Sequence, residues 1–335
     1  MKTAVVGAGS WGTTVAALTA ANSETVLWER RPDLAERIDR DHENGDYLAG
    51  VELPAQMRAT SSLAEACDGA DVIVMGVPSH GFRAVLTDAR GLIGPDVPVV
   101  SLCKGVEQAT LQRMTEVAAE VLEGHLADRI GVLTGPNLAR EVAAGQPTAS
   151  VVAVRDEPTA RMLQQLFWAP SFRVYTNPDV VGCEIAGALK NVLAIGSGIA
   201  DGLGYGDNTK AALMTRGLAE LARLGVALGG DPLTFAGLAG MGDLIATCSS
   251  PQSRNRHVGV ELGRGRKLDE IVAEMKMVAE GVKTTAAVLE IASQRGIEMP
   301  LASFVGRVLN EGAHPADLVP ELMLRKATSE LHGIR

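Results

Sequence analysis

The stretch Thr3-Ala4-Val5-Val6-Gly7-Ala8-Gly9-Ser10-Trp11-Gly12 joins an apolar, β-rich run to a G-x-G-x-x-G turn, and Thr13 to Ala21 follows it as a helical pattern. A strand, a tight glycine turn and a helix in that order form a cradle for a dinucleotide pyrophosphate. Gly7 permits the sharp turn. Gly9 carries no Cβ, so backbone can approach phosphate. Gly12 lets helix and strand pack closely. The helix start adds unpaired N–H groups and partial positive charge. The alternative is a glycine-rich loop with no ligand, but the strand-turn-helix context that the motif needs is present.

Working outward, short β-rich runs alternate with helical stretches through the first half. Thr3–Val6, Thr25–Trp28, Val72–Met75, Val97–Leu102 and Gly131–Leu133 read as strands, and Leu63–Ala66 and Leu111–Leu122 as helices. Alternation of this kind predicts an α/β fold with a Rossmann-like, doubly wound parallel sheet. Val151–Val154 and Phe172–Tyr175 extend the strand series. Beyond Asn177-Pro178 the pattern turns helical: Val181–Ile199, Lys210–Leu228, Leu268–Met277, Thr284–Gln294, Leu301–Leu309 and Asp317–Leu322. The expected division is therefore a dinucleotide-binding domain over 1–177 and an all-helical substrate or catalytic domain over 178–335.

Composition narrows the class. A chain of 335 residues with 46% hydrophobic content and a formal net charge of −9 has material for two cores and no general basic face for nucleic acid. Cys67, Cys103, Cys183 and Cys248 are scattered without C-x-x-C spacing, which suits free thiols in a reducing cytoplasm. No histidine or cysteine cluster has metal-ligand spacing, so no metal is expected. The N-terminus shows no signal-peptide pattern. The longest apolar stretch, Ile185–Ile199, carries Lys190 at its middle and is too short and charged to span a bilayer.

Lys190 is the strongest candidate for chemistry. It lies in Gly187-Ala188-Leu189-Lys190-Asn191-Val192-Leu193-Ala194, apolar or small on nearly every side, as a buried helix is. Residues three and four positions away are Ala186, Gly187, Leu193 and Ala194, so its own helix offers no carboxylate. Burial lowers a lysine pKa toward neutrality and suits it to acid–base work; the alternative is that it snorkels to solvent. Asp243, in the glycine-rich run Gly237 to Leu244, is either an orienter of that lysine or the N-cap of a helix beginning near Leu244. Ser253-Arg254-Asn255-Arg256, before a short helix over Val258–Leu262, is either an anion site or a solvated basic loop. Lys104 follows a strand, where it faces a ligand cleft or plain solvent. Glu29, Arg30 and Arg31 follow the second strand. An acid there suits the ribose of NAD and an arginine the 2′-phosphate of NADP, so both cofactors stay open.

These segments, with Val77-Pro78-Ser79-His80, Lys104-Gly105-Val106-Glu107, Gly135-Pro136, Thr215-Arg216-Gly217-Leu218-Ala219-Glu220, Gly240-Met241-Gly242-Asp243-Leu244 and Val278-Ala279-Glu280-Gly281, resemble the NAD(P)-dependent sn-glycerol-3-phosphate dehydrogenases of bacterial type over nearly the whole chain. The resemblance implies reversible reduction of dihydroxyacetone phosphate to sn-glycerol 3-phosphate, a phospholipid precursor. It implies that Lys190 exchanges a proton with the C2 oxygen, that Lys104 polarises the carbonyl and contacts substrate and cofactor, and that Asp243 positions the lysine. Arg254 and Asn255 match a phosphate-binding pair, with Arg254 also reaching the cofactor. Ser253 and Gly135 match substrate contacts, and Ser10, Trp11, Arg30, Arg31, Ala139, Val278 and Glu280 match cofactor contacts beside Gly7, Gly9 and Gly12. A homodimer is also implied. The chain departs from the pattern at Asn137-Leu138-Ala139-Arg140, where relatives usually carry a hydroxyl residue, an aromatic residue and Ala-Lys. A β-hydroxyacid dehydrogenase and a dinucleotide sensor without turnover are the rival readings. The Ser253-Arg254-Asn255 run favours a phosphorylated substrate over the first, and the apolar setting of Lys190 speaks against the second.

Overall fold

A computed structural model describes residues 1–275, 279–327 and 329 of the chain. Contacts divide it into two compact units, residues 1–103 with 113–180, and residues 104–112 with 181–335.

The first unit alternates strands and helices: β1 (Lys2–Val6), α1 (Ser10–Thr19), β2 (Glu24–Trp28), α2 (Pro32–Asp41), β3 (Arg58–Thr60), α3 (Leu63–Cys67), β4 (Val72–Met75), α4 (Ser79–Ala89), β5 (Val99–Ser101), α5 (Met114–Val121), β6 (Ile130–Thr134), α6 (Ala139–Ala143), β7 (Thr148–Ala153), α7 (Glu157–Phe167) and β8 (Phe172–Asn177). The eight strands form one sheet in the order β3-β2-β1-β4-β5-β6-β7-β8. β6 and β7 pair antiparallel and the other neighbours pair parallel. The fold is thus α/β and doubly wound, with one antiparallel pairing inside an otherwise parallel sheet.

Alternation along each strand feeds two cores. Val5 packs on one face with Val15 and Ala16 of α1, Leu34 and Ile38 of α2 and Leu163 and Phe167 of α7. Ala4 and Val6 pack on the other with Phe82 and Leu86 of α4 and Met114 and Val117 of α5. Strands buried on both faces read as continuous β-branched runs, which is why β1, β4 and β6 stand out in the sequence. Side-chain caps start α3 and α7: Ser62 accepts from Glu65 N at 3.2 Å and Asp156 accepts from Thr159 N at 3.0 Å. The helix expected from Leu111 begins at Met114 instead, because Leu111 adopts the left-handed region at φ 61°.

The second unit is helical: α8 (Val180–Gly202), α9 (Asp207–Ala227), α10 (Pro232–Ala236), a single π turn over Leu238–Gly242, α11 (Asp243–Ser249), α12 (Arg254–Gly263), α13 (Leu268–Glu274), α14 (Glu280–Gln294), α15 (Pro300–Asn310) and α16 (Pro315–Met323). α13 stops short of the expected Met277, and residues 276–278 lie outside those described. α8 runs 23 residues, longer than its apolar centre suggests and long enough by length and composition to cross a bilayer, yet 94% of its most apolar window is buried inside the protein. It is the central core helix of this unit, with Leu189, Val192, Leu193 and Ile195 at its heart.

Two helices touch here through backbone. A Cβ on Gly198 of α8 would lie 2.1 Å from the Arg256 carbonyl oxygen, and one on Gly259 of α12 would lie 2.0 Å from that of Ile195. Only hydrogen fits at either position. The contact draws the start of α12 against the stretch of α8 that carries Lys190 and Asn191. Residues 104–112 belong to this unit too: Val106 is 2% exposed in the helical core, and Gln108 Nε2 donates to the Lys283 carbonyl at 2.8 Å. A strand-end position for Lys104 is therefore a correction in detail, since β5 ends at Ser101 and Lys104 lies in this inserted segment.

Candidate functional site

In the first unit the sheet order reverses between β1 and β4, and the glycine turn leaves the carboxyl end of β1 at that point. Gly7 has φ +119°, and a Cβ there would lie 2.8 Å from the carbonyl carbon of Gly76, just past β4. A Cβ on Gly12 would lie 1.9 Å from the Gly7 carbonyl oxygen, whereas one on Gly9 would meet nothing within 4 Å. Two glycines are thus fixed by protein packing. The third borders open space at the N-terminus of α1, where the first backbone N–H groups of a helix lack intrahelical acceptors and suit an anion. A dinucleotide pyrophosphate fits this cradle.

The neighbouring candidates are held by local contacts. Ser10 Oγ donates to the Tyr47 carbonyl at 2.7 Å. Trp11 packs on Phe172 with ring centroids 6.3 Å apart, and its buried Nε1 has no protein acceptor. Arg31 donates to Asp46 at 2.8 Å and lies 5.6 Å from the Tyr47 ring centre, while Glu29 Oε1 accepts from Arg31 N at 3.1 Å. Arg30 is exposed beside it. Ala139 opens α6, and its carbonyl accepts from Thr14 Oγ1 at 3.3 Å. Gly135 has φ +133° and sits against Ser150. Asn137, at the departure from the family pattern, donates through Nδ2 to Ser150 Oγ at 3.0 Å; that hydroxyl is itself spent on the Thr134 carbonyl at 2.8 Å. The Asn137 carbonyl oxygen is left buried without a protein donor.

In the second unit Lys190 is 5% exposed and Asp243 1%. Lys190 Nζ donates to Asp243 Oδ1 at 2.6 Å and to Thr247 Oγ1 at 2.6 Å. Lys104 Nζ donates to the other carboxylate oxygen, Asp243 Oδ2, at 2.7 Å. Thr247 Oγ1 in turn donates a hydrogen bond to Asp243 Oδ1 at 3.2 Å. Asp243 and Thr247 reach one spot because i and i+4 share a helix face. A π turn and Gly242 precede Asp243, so the carboxylate is free of capping duty and turns to the lysines. The counter-charge missing from the lysine's own helix thus comes from α11, fifty-three residues on in the chain.

Burial pushes the Lys190 ammonium down to about 8; the Asp243 carboxylate opposes that shift and the Lys104 ammonium adds to it. Two of the three ammonium donors of Lys190 are used, which leaves one N–H for a ligand oxygen. Two cations share one carboxylate, so the cluster keeps a net positive charge in a nearly dry setting when both lysines are protonated. That arrangement favours an oxygen that gains negative charge.

Ser253 caps α12, accepting from Arg256 N at 3.2 Å. Arg254 is the exposed first residue of that helix, and Asn255 is 8% exposed beneath it. Glu280 opens α14. Val278 lies outside the described residues. Sequence reasoning did not find Thr247. Its spacing of four from Asp243 was a usable signal, but only once Asp243 was known to begin a helix. Among the described residues no group of three or more His, Cys, Asp or Glu is placed to hold a metal ion.

A glycine-turn α/β unit and an all-helical unit with a buried, carboxylate-bound lysine define a class: the two-unit nicotinamide-dependent dehydrogenases. Within that class the chain belongs to the NAD-dependent glycerol-3-phosphate dehydrogenase family. Residues 2–160 match the family's N-terminal part and residues 179–320 its C-terminal part. The chain is 56% identical to glycerol-3-phosphate dehydrogenase [NAD(P)+] 2 of Sphingopyxis alaskensis over 99% of each chain. It is 52% identical to glycerol-3-phosphate dehydrogenase [NAD(P)+] of Thermobifida fusca, again over 99% of each. The solved glycerol-3-phosphate dehydrogenase of Coxiella burnetii superimposes with a TM-score of 0.91 at 37% identity, covering 97% of this chain and 99% of that one.

Proposed function

We propose that the protein interconverts dihydroxyacetone phosphate and sn-glycerol 3-phosphate with NADH or NADPH, supplying glycerol 3-phosphate for phospholipid synthesis. The observation that carries the reading is the Lys104–Asp243–Lys190 cluster, found in a chain of this family. When bound, a reduced nicotinamide would supply the hydride that C2 takes up. As the new C–H bond forms, the C2=O pair becomes an O–H bond with the proton of Lys190, and neutral Lys190 is reprotonated from solvent. Lys104 and Lys190 together stabilise the oxygen as its charge grows. Asp243 and Thr247 hold the Lys190 ammonium by two of its donors and so orient the third.

Arg254, Asn255 and Ser253 are the proposed phosphate contacts, with Gly135 as a further substrate contact. Phosphate binding remote from C2 contributes to alignment rather than to bond making. Ser10, Trp11, Arg30, Arg31, Ala139, Lys104, Arg254, Val278 and Glu280 are the proposed cofactor contacts beside Gly7, Gly9 and Gly12. The same reading takes 1–177 as the cofactor domain and 178–335 as the substrate domain, and the protein as a cytoplasmic homodimer. Four free cysteines suit a reducing compartment.

NADH and NADPH oxidation followed with dihydroxyacetone phosphate, against the keto form of a β-hydroxy acid (a 3-keto acid) as control, tests the reaction and ranks the cofactors. Turnover of the keto acid alone, or of neither, removes the reading. Arg254→Ala raises the KM for dihydroxyacetone phosphate by about tenfold or more, the weight of one lost charge-assisted phosphate contact, with a smaller change in kcat. An unchanged KM takes Arg254 out of phosphate binding.

The glycine turn gives a second test. Gly9→Ala leaves thermal stability within about 0.5 kcal/mol of the parent, since its Cβ meets nothing, but weakens NADH binding by about tenfold or more. Gly12→Ala forces α1 off the turn and destabilises the unit by about 3 kcal/mol, the upper end of overpacking costs. Melting curves without cofactor and NADH titration separate the two effects. Parental NADH affinity in Gly9→Ala refutes the pyrophosphate assignment.

A further inference from the structure

Asn191 follows Lys190 on α8 and is 5% exposed. Its Nδ2 donates to the main-chain oxygen of Lys104 at 3.0 Å. Its Oδ1 accepts from Asn255 Nδ2 at 2.9 Å, and Asn255 Oδ1 accepts from Gly281 N at 2.9 Å. The ends of this chain fix its direction: a main-chain N–H only donates and a carbonyl only accepts, so neither amide can be flipped. The start of α14 is pressed against the pair, for a Cβ on Gly281 would lie 2.7 Å from the Asn191 carbonyl oxygen and 2.8 Å from Asn255 Oδ1.

We propose that Asn191 is a positioning residue that holds the backbone of Lys104 and thereby sets where the Lys104 ammonium meets Asp243. The inference rests on the reading of Lys104 and Lys190 given above. Lys104 lies in a segment that is neither helix nor strand. The amide chain ties its carbonyl to Asn255 at the start of α12 and to Gly281 in the first turn of α14. One of the two Asn255 N–H donors is spent on Asn191, and its carbonyl oxygen on Gly281, so the phosphate assignment rests on the other donor alone.

The consequence is specific. Lys104 lowers the Lys190 pKa and shares Asp243 with it. Once Asn191 no longer holds Lys104, Lys190 keeps Asp243 to itself and titrates higher. Asn191→Leu removes the chain. Asn191→Asp preserves shape and the acceptor for Asn255 but removes the donor to Lys104; because its new carboxylate raises the Lys190 pKa by itself, this variant is read only by its kcat/KM and its coupling to Lys104→Met. Gly281→Ala disturbs the pair from α14.

For each variant, circular dichroism melts report folding, and kcat/KM for dihydroxyacetone phosphate is measured from pH 6 to 10, alone and combined with Lys104→Met. The expected result is a loss of about 10- to 100-fold, in keeping with misplacement of one catalytic group. The pH limb rises above its parental position, as it does in Lys104→Met, and the double variant is no worse than the poorer single. Parental kcat/KM in folded Asn191→Leu overturns the proposal. So does a loss with an unmoved pH limb that multiplies with that of Lys104→Met, because a purely structural amide lowers stability without retuning Lys190. If Asn191→Leu fails to fold, Gly281→Ala carries the same readings and Asn191→Asp carries the coupling to Lys104→Met; failure of all three to fold assigns the amide to the fold alone and rejects the proposal. An inactive parent removes the function reading and this inference with it, whereas an active parent with equally active variants removes only the inference.

Discussion

Lys190→Met lowers kcat for dihydroxyacetone phosphate reduction by about 10³-fold, within the range set by loss of a positioned general acid, while NADH affinity stays near the parental value. Methionine fills much of the lysine's volume, and Lys104 continues to neutralise Asp243, so folding survives. The parent enzyme gives the matching pH signature. Burial holds the Lys190 ammonium down to about 8. Ketone reduction needs the ammonium, so kcat/KM falls as pH rises through about 8. Alcohol oxidation needs the neutral amine, so kcat/KM in that direction rises through the same range. Steady-state assays in both directions and a fluorescence titration of NADH check these points. Near-normal turnover in Lys190→Met takes the lysine out of the chemistry.

Asp243→Asn has the second large effect, and it acts on stability and chemistry together. The substitution leaves the buried Lys190 ammonium and the partly buried Lys104 ammonium without their carboxylate, and removing one partner of a buried ion pair such as Lys190–Asp243 costs about 3–5 kcal/mol. The same change takes away the interaction that holds the Lys190 pKa up, so the pH limb of reduction moves below about 8. This is the opposite direction from the shift expected of Asn191→Leu. The two variants therefore distinguish loss of the carboxylate from loss of the second cation. Denaturant melts and the pH profile of the surviving activity measure both parts. A variant as stable as the parent would show that the lysines do not depend on this carboxylate.

Some of this was legible in local pattern. The apolar run before Gly7 and the spacing of Gly7, Gly9 and Gly12 specify a strand, a turn and a helix within a dozen residues, so neighbouring sequence suffices. The helical character after Asn177 was equally local. Burial of Lys190 was visible because its own helix is apolar all round. The partner of Lys190 was not visible as a contact, because Asp243 lies on another helix and its glycine-rich setting read equally well as a cap. The antiparallel pairing of β6 with β7 was hidden for a related reason: a buried strand carries the same β-branched pattern whichever way its neighbour runs.

Sequence alone determined the local elements, a turn at Gly9 with no side chain to bar a phosphate, and the placement of a lysine where water is scarce, because each depends on residues a few positions apart. Only the tertiary structure decided that Asp243 stands between two lysines, that Thr247 completes their contacts, and that residues 104–112 join the helical unit through Asn191. Those outcomes follow from close approach of distant segments, above all the bare backbones of Gly198 and Gly259, where α8 and α12 meet with no side chain in between. Charge and hydrogen-bond partners are chosen by distance in space, and packing alone sets that distance.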